Sequence, residues 1–272
     1  MTAADDPYRP FDGTAGRQTV LHINEQPSMA NAWTITVEPI GSEFVLRQRA
    51  WVEDNRRRVD ELSGGRLAYV WVPNTGGPGV VSFNRYYFAQ QDRQGAVIDE
   101  RFNQGGSAAD YIVDILDREL HGYFNNPVGD RRPFTTPEAG IWGPKVMIIN
   151  EMAGSGGDLL PYMFRRMEIG PLVGKRTWGG LVGTWDTPPL LDGGVMIAPR
   201  GGFYDLSGEW AVENEGVAPD IDVEMTPKAY AAGEDPQLRR AVDEALRLLE
   251  QNPVVLQPEP PPPVRWKRPG GR

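Results

Sequence analysis

The sequence predicts an α/β protein built on a mostly parallel sheet with flanking helices. From about Phe44 onward, short apolar segments alternate with longer segments of helical periodicity, a pattern typical of parallel strands joined by right-handed crossovers. Hydrophobic residues make up 40% of the 272 residues, so the chain can bury a substantial core. Glycine-rich turns follow two of the predicted strands. We expect both turns at the same sheet edge, where α/β proteins place their functional sites.

The first 40 residues differ from the rest of the chain. Residues 1–18 are predicted to be loosely structured, whereas Thr19–Ile23 and Trp33–Val37 alternate apolar and polar residues as half-buried strands do. A pair of strands this small is not stable alone. We therefore interpret residues 1–40 as a loose N-terminus followed by the end of a larger module.

The remaining elements follow in order. Residues 44–62 form a predicted helix, with apolar positions at Leu46, Trp51, Val59 and Leu62, that ends at Ser63-Gly64-Gly65. Further strands are predicted at 66–73, 95–99, 145–149, from 172 and at 194–199, and further helices at 81–91, 110–117, 158–167 and 236–251. Residues 41–251 would thus form the core domain. Residues 252–272 are proline-rich and basic, which predicts an extended, disordered tail.

Composition excludes several function classes. The net charge of -9 and the pI of about 4.9 argue against nucleic acid and anionic membranes as partners. Cysteine is absent and only His22 and His121 occur, with no HExxH pair, which argues against a zinc hydrolase. The N-terminal residues lack the apolar region of a signal peptide. We expect a cytoplasmic protein, or a periplasmic one if the true N-terminus lies upstream.

The segment Lys145–Asp158 carries the strongest functional signal. A buried strand is followed by a polar turn, and Gly154-Ser155-Gly156-Gly157 then opens a helix. The first turn of a helix carries positive potential and unpaired N–H groups, which suit a nucleophilic serine and its oxyanion. The alternative is that Ser155 only caps the helix, a common role for serine.

Four motifs, in order along the chain, carry a family resemblance. They are Arg101-Phe102-Asn103 with Gly105-Gly106, then the segments 150–158, 174–180 and 213–220. Residues from about Phe44 to Leu249 resemble the catalytic core of tricorn-type serine proteases, relatives of the carboxy-terminal processing peptidases. The resemblance implies a ClpP/crotonase-like fold preceded by a partial PDZ-like β segment. It implies no cofactor and no metal.

The resemblance also implies catalytic roles. Ser155 would be the nucleophile, and the amides of Gly106 and Gly156 would form the oxyanion hole. Glycine lets the backbone approach a substrate carbonyl closely. The family usually has a third glycine where this chain has Gln104, and often an aspartate at the position of Gly156. Because backbone N–H groups perform the role, neither departure abolishes it.

Two further positions follow from the resemblance. Glu213 matches the glutamate that orients the catalytic histidine, with Glu215 as its rival; a carboxylate in that role fixes the orientation of the base and stabilises its cation. Phe124 occupies a position where members that prefer basic residues are expected to carry an acid. It is therefore a candidate substrate-binding residue for an apolar side chain.

The catalytic base is missing from the pattern. The family uses a histidine preceded by a serine, and this chain has no Ser-His dipeptide. We interpret His22 as structural, and His121 as the alternative base within this chain. The related peptidases use a lysine where this chain has Gly180, and we interpret Lys175 as a strand-end charge. We therefore expect a C-terminal part of a longer protease, or a partner chain that supplies the base.

The predicted function is a serine endopeptidase core that cleaves peptides or unfolded chains through an acyl-enzyme on Ser155. One alternative is a non-catalytic peptide-binding homologue, and another is a serine-dependent enzyme with its base within this chain. A third is an acyl-thioester enzyme on the crotonase-like architecture, although no coenzyme A signature is present. The resemblance also implies a homo-oligomer, such as a hexamer with shared sites.

Overall fold

The computed structural model describes residue 6 and residues 8–129, 132–185 and 187–264. The strands are β1 Thr19–Ile23, β2 Trp33–Val37, β3 Leu67–Trp71, β4 Gly95–Asp99, β5 Gly122–Phe124, β6 Phe134–Thr136, β7 Lys145–Ile149, β8 Leu172–Gly174 and β9 Ile221–Asp222. The α-helices are α1 Phe44–Ser63, α2 Gly77–Phe88, α3 Ala109–Leu116, α4 Gly156–Arg166, α5 Pro227–Ala231 and α6 Pro236–Gln251. The chain divides into two compact units, Met1–Asp54 and Asn55–Arg272. This division falls within α1, and the domain boundaries after residues 40 and 251 stay predictions.

The first unit contains the antiparallel pair of β1 and β2, in which Thr19 lies opposite Val37. Both strands have the predicted bounds, and a short 3₁₀ helix, Arg9–Phe11, lies in the segment predicted as loose. The expectation of half-buried strands is wrong, since Val20, Trp33 and Ile35 are 57%, 52% and 43% exposed. Among the described residues no third strand pairs with these two. The PDZ-like origin of the segment stays a prediction.

Helix α1 matches its predicted span but not all of its predicted buried positions. Val52 and Val59 are buried, two helical turns apart, and the polar Asn55 and Ser63 are buried with them. Leu46, predicted as apolar support, is 59% exposed. Gly64 and Gly65 follow with φ of +60° and +77°, a backbone conformation that glycine adopts readily and that ends a helix.

The second unit is built on a parallel five-stranded sheet in the order β3-β4-β7-β8-β9. Every residue of β3, β4 and β7 is buried, as expected for strands covered on both faces. On one face, alternate strand residues such as Ile98 and Met147 pack with Phe83 of α2, Ile112 of α3 and Leu160 of α4. Helix α6 contacts β3, β4, β7 and β8 and covers the other face. The predicted mostly parallel sheet with flanking helices is confirmed.

Several boundaries and short elements differ from the predictions. Residues 194–199, predicted as a strand, lie in the connection between β8 and β9 without strand structure, and Val195, Met196 and Ile197 are each more than 60% exposed. A strand needs a neighbour for its backbone N–H and C=O groups, and this apolar run has none among the described residues. The hairpin β5–β6, strand β9 and helix α5 were not predicted. Helix α4 begins at Gly156 rather than at Asp158.

Helix α2 begins four residues before its predicted start. The Oδ1 atom of Asn74 accepts hydrogen bonds from the N–H groups of Gly76 and Gly79, each at 2.9 Å, and Pro78 occupies the first turn. Asparagine and proline at these places are strong signals for a helix start. The helix also ends earlier than predicted, at Phe88 instead of Gln91.

The proline-rich tail is described as far as residue 264, and residues 265–272 lie outside the described part. Residues 253–264 form no helix or strand, and the disordered tail stays a prediction. Two hydrogen bonds join them to the β5–β6 region. The N–H of Gln257 donates to the hydroxyl of Tyr123 at 3.2 Å, and the amide of Asn125 donates to Glu259 at 3.3 Å. No helix within the described ranges is long and apolar enough to cross a membrane.

Candidate active site

The site lies where the adjacent strands β4 and β7 end. The turn after β4 and the turn after β7 are joined by two hydrogen bonds: the N–H of Gly154 donates to the carbonyl of Asn103 at 3.0 Å, and the N–H of Phe102 donates to Oδ1 of Asn150 at 2.9 Å. The two glycine-rich turns therefore lie at one edge of the sheet. This part of the prediction is confirmed, and its cause is the parallel pairing of β4 with β7.

Ser155 has a backbone conformation that a helix cap does not require. Its φ is +58° and its ψ is −117°, a region that residues other than glycine rarely adopt, whereas cap residues usually have extended backbones. The side chain is half-buried, and the N–H of Ser155 donates to Oδ2 of Asp158 at 2.8 Å. Strain of this kind clusters at functional sites, so it favours the nucleophile over the simple cap.

The glycines of the β4 turn lie directly against this serine. A Cβ atom on Gly105 would lie 2.7 Å from Ser155 Cβ and 3.0 Å from Ser155 Oγ. The amide nitrogen of Gly106 lies 2.9 Å from the place of a Cβ atom on Gly156. Within the described part of the chain, neither the Gly106 nor the Gly156 amide donates a hydrogen bond. The turn of Gly105 and Gly106 therefore packs directly against the turn of Ser155 and Gly156.

Thr75, a residue that the sequence did not single out, separates the two turns. It is fully buried, its N–H donates to the carbonyl of Gly105 at 2.9 Å, and its own carbonyl accepts from Ala108 at 2.7 Å. A Cβ atom on Gly156 would lie 2.0 Å from Thr75 Oγ1. A side chain at position 156 would therefore clash unless the turn shifts, although the family that this chain resembles often has an aspartate there. The signal in the sequence was the turn after β3, which ends at the same sheet edge.

The side chain of Glu213 is held by two backbone amides, whereas no hydrogen bond to the Glu215 carboxylate is found among the described residues. The Oε2 atom of Glu213 accepts hydrogen bonds from the N–H groups of Leu181 at 2.6 Å and Val182 at 2.7 Å. Glu213 is half-buried, whereas Glu215 is exposed. A carboxylate fixed through one oxygen can present the other to an imidazole N–H. The geometry therefore favours Glu213 as the orienting residue.

The remaining candidates from the sequence are two histidines, a lysine and the candidate substrate-binding residue Phe124. His22 and His121 are exposed, and no hydrogen bond joins the His121 imidazole to Ser155 or Glu213 in the ranges described. Lys175 forms ion pairs with Asp222 and Glu224, and hydrogen bonds to these carboxylates raise its pKa, so it remains a charged strand-end residue. Phe124 is 67% exposed in β5, which excludes a core role.

A buried ion-pair cluster anchors the β4 turn. The guanidinium of Arg101 contacts Asp99 at 2.6 Å and Asp235 at 2.9 Å, and the hydroxyl of Tyr69 donates to Asp99 at 2.9 Å. Burial, followed by the charge of Asp99, raises the pKa of Tyr69 well above its usual value. The cluster ties the turn that carries Gly105 and Gly106 to the first turn of α6.

Glu100 is a buried acid directly after β4. It is fully buried, and neither carboxyl oxygen has a hydrogen bond of normal geometry to a described residue, although the side chain of Asn103 interacts with it and opposes the rise of its pKa. Burial raises its pKa well above the usual value, and the nearby charge of Asp158 raises it further. Burial thus favours the neutral form of the Glu100 carboxyl.

Comparison with known proteins assigns this chain to a family. Residues 66–223 match the model of peptidase family S41. The chain belongs to peptidase family S41. Tricorn protease homolog 1 of Streptomyces coelicolor is 38% identical over 249 residues, and the tricorn protease of Thermoplasma volcanium is 35% identical over 249 residues. These alignments confirm the resemblance to tricorn-type serine proteases.

A solved structure confirms the S41 fold. The crystal structure of the tricorn protease matches this chain with a TM-score of 0.82 and 33% identity, over 92% of this chain and 24% of that one. The two relatives named above are matched over 92% of this chain, but over only 23% and 24% of their own lengths. This chain therefore spans about a quarter of the length of the curated relatives it matches.

Proposed function

We propose that this chain is the catalytic core of a serine endopeptidase that cleaves peptides or unfolded chains through an acyl-enzyme on Ser155. The observation that carries the proposal is the strained turn of Ser155 at the start of α4, close to the amides of Gly106 and Gly156, which have no acceptor among the described residues. Such a turn supplies both the nucleophile and the oxyanion donors that acyl transfer needs.

The steps follow from this arrangement. Ser155 Oγ attacks the peptide carbonyl carbon as its proton passes to a histidine, and the carbonyl electron pair moves onto oxygen. The amides of Gly106 and Gly156 donate to that oxyanion. Each such donor is worth roughly 10²–10³ in kcat. Collapse breaks the C–N bond, the amine leaves with the proton, and water then hydrolyses the acyl-Ser155 ester by the same steps in reverse.

Glu213 orients the histidine and stabilises its cation. The amides of Leu181 and Val182 hold its Oε2 atom, so the remaining oxygen can accept the imidazole N–H. We propose that this histidine comes from outside these 272 residues, in a longer protein or a partner chain. In support, the chain spans about a quarter of the length of its relatives, and His121 has no hydrogen bond to Ser155 or Glu213 within the described ranges.

The substrate class and assembly complete the proposal. Phe124, exposed in β5, would contact an apolar side chain next to the cleaved bond. The protein would act as a homo-oligomer on peptide or unfolded-protein substrates. The compartment stays a prediction, with the cytoplasm preferred.

The test compares the full-length natural protein with this chain on fluorogenic peptides, each beside its Ser155→Ala variant. We expect cleavage by the full-length protein, no cleavage by its Ser155→Ala variant, and an unchanged melting temperature. Turnover that survives Ser155→Ala would refute the assignment. Cleavage by the 272-residue chain alone would place the base within it, and His121→Ala would then be examined. Peptide binding without cleavage by the full-length protein would favour the non-catalytic homologue.

A further inference from the structure

Asp158, in the first turn of α4, is a buried acid with three backbone donors. Its Oδ2 atom accepts from the N–H of Ser155 at 2.8 Å and of Gly180 at 3.1 Å, and its Oδ1 atom accepts from Gly179 at 2.8 Å. The residue has no exposed surface. Charge-assisted bonds from backbone N–H groups compensate a buried carboxylate. One donor belongs to the nucleophile turn, and the other two belong to a separate segment of the chain.

That separate segment also holds Glu213. The amides of Gly179 and Gly180 donate to Asp158, and the next two amides, of Leu181 and Val182, donate to Glu213. Four successive backbone amides are thus divided between two carboxylates. The carbonyl of Gly179 also accepts from the N–H of Asn214, at 2.7 Å. A continuous set of hydrogen bonds therefore connects the turn of Ser155 to the loop of Glu213.

A helix-capping role does not account for this pattern. A capping acid bonds to amides of its own first turn, and only the Ser155 bond is of that kind. The other two partners lie 21 and 22 residues further along the chain. Asp158 thus has the geometry of a clamp between two loops.

We propose that Asp158 is a positioning residue that sets the separation and orientation of Ser155 relative to Glu213, and through Glu213 of the histidine that activates Ser155. The inference rests on the proposed function, because it assigns the purpose of the clamp. Asp158 does not contact the substrate in this scheme. It acts through the backbone of the Gly179–Val182 segment.

The first test needs no catalytic activity. Amide hydrogen exchange is measured in this chain for the wild type and for Asp158→Asn, which is nearly isosteric and replaces one acceptor oxygen by a donor. We expect exchange at Leu181 and Val182, which bond to Glu213 and not to Asp158, to rise about tenfold through local opening. Glu213→Ala should in return raise exchange at Gly179 and Gly180.

The matched control is Asp110→Asn. Asp110 is an exposed acid in the first turn of α3, so this variant removes an acid at a helix start without touching either loop. This variant should leave the exchange rates of all four amides from Gly179 to Val182 unchanged. Exchange in strand β4 should also stay unchanged. If Asp158→Asn leaves exchange at Leu181 and Val182 unchanged and raises it only at the Ser155 amide, Asp158 acts only as a helix cap. That result would overturn the inference.

The second test uses cleavage by the full-length protein. A displacement on the order of 1 Å at the reacting groups costs about 10²-fold in rate, so Asp158→Asn should lower kcat about 100-fold. KM should stay within about twofold, because only the reacting geometry changes. An unchanged kcat would overturn the inference. Failure of the wild-type protein to cleave would instead refute the proposed function, and the exchange experiment would still decide whether Asp158 couples the loops.

Discussion

Glu100 makes the stability of this chain depend on pH in a direction opposite to that of most acids. The carboxyl is fully buried, and burial raises its pKa well above 4.5. The folded state therefore keeps a proton that the unfolded chain releases above about pH 4.5. A group whose pKa is raised on folding contributes stability that is fully present below its unfolded pKa and declines as the pH rises.

The size of this pH dependence follows because the Glu100 carboxyl binds one proton. Between the unfolded and folded pKa values of Glu100, the free energy of unfolding should fall by about 1.4 kcal/mol per pH unit through this residue. Glu100→Gln keeps the size of the side chain and removes the titration. We expect its stability relative to the wild type to grow by that slope as the pH rises above 5 towards the folded-state pKa, and to be independent of pH below 4.

The assay is urea unfolding of the wild type and Glu100→Gln at a series of pH values from 4 to 8. Glu119→Gln, at an exposed glutamate, is the control for the general effect of replacing an acid. Its stability difference from the wild type should stay small over the whole range, because surface charges interact weakly with their surroundings. Curves of Glu100→Gln and wild type that run parallel across pH 5–7 would show that Glu100 ionises in the folded state, and would refute the reasoning.

Three further predictions concern stability, the oxyanion hole and specificity. Arg101→Met should lower the free energy of unfolding by about 3–5 kcal/mol in urea titrations, because it leaves the buried charge of Asp99 unpaired; a loss below about 1 kcal/mol would contradict this. Gly156→Ala places a Cβ atom 2.0 Å from Thr75 Oγ1, so it should shift the turn and lower kcat by roughly 10²-fold or more in the cleaving protein; steady-state kinetics with wild-type rates would argue against an oxyanion role. Phe124→Asp should raise kcat/KM for peptides with lysine before the cleaved bond about fivefold relative to leucine, since an exposed ion pair is worth up to about 1 kcal/mol; an unaltered preference would remove Phe124 from the specificity site.

The sequence predicted best the elements whose signal is local. Strands β4 and β7 are short continuous apolar runs, buried on both faces, and their bounds were correct. Helix α6 carries a regular apolar stripe and was also correct. The turn of Ser155 was found because glycine and serine at the end of a buried strand are distinctive.

Prediction from the sequence failed for segments whose structure depends on residues far away along the chain. Residues 195–197 form an apolar run that looks like a strand, but no neighbouring strand pairs with it in the described part of the chain. Strand β9 has only two residues and exists because β8 lies beside it. The hydrogen bonds of Asp158 could not be predicted for the same reason, since two of its three donors lie more than 20 residues away along the chain.

The backbone of Ser155 implies a trade-off between chemistry and robustness. Holding a serine at φ +58° and ψ −117° costs on the order of 1–3 kcal/mol, a cost that glycine would avoid. Alanine keeps the Cβ atom and hence the strain, so Ser155→Ala isolates the loss of the hydroxyl, whereas Ser155→Gly should yield a more thermostable protein. A homologue that does not use this serine as a nucleophile would gain stability from Ser155→Gly alone. A serine retained in this conformation therefore lowers the stability of the surrounding fold.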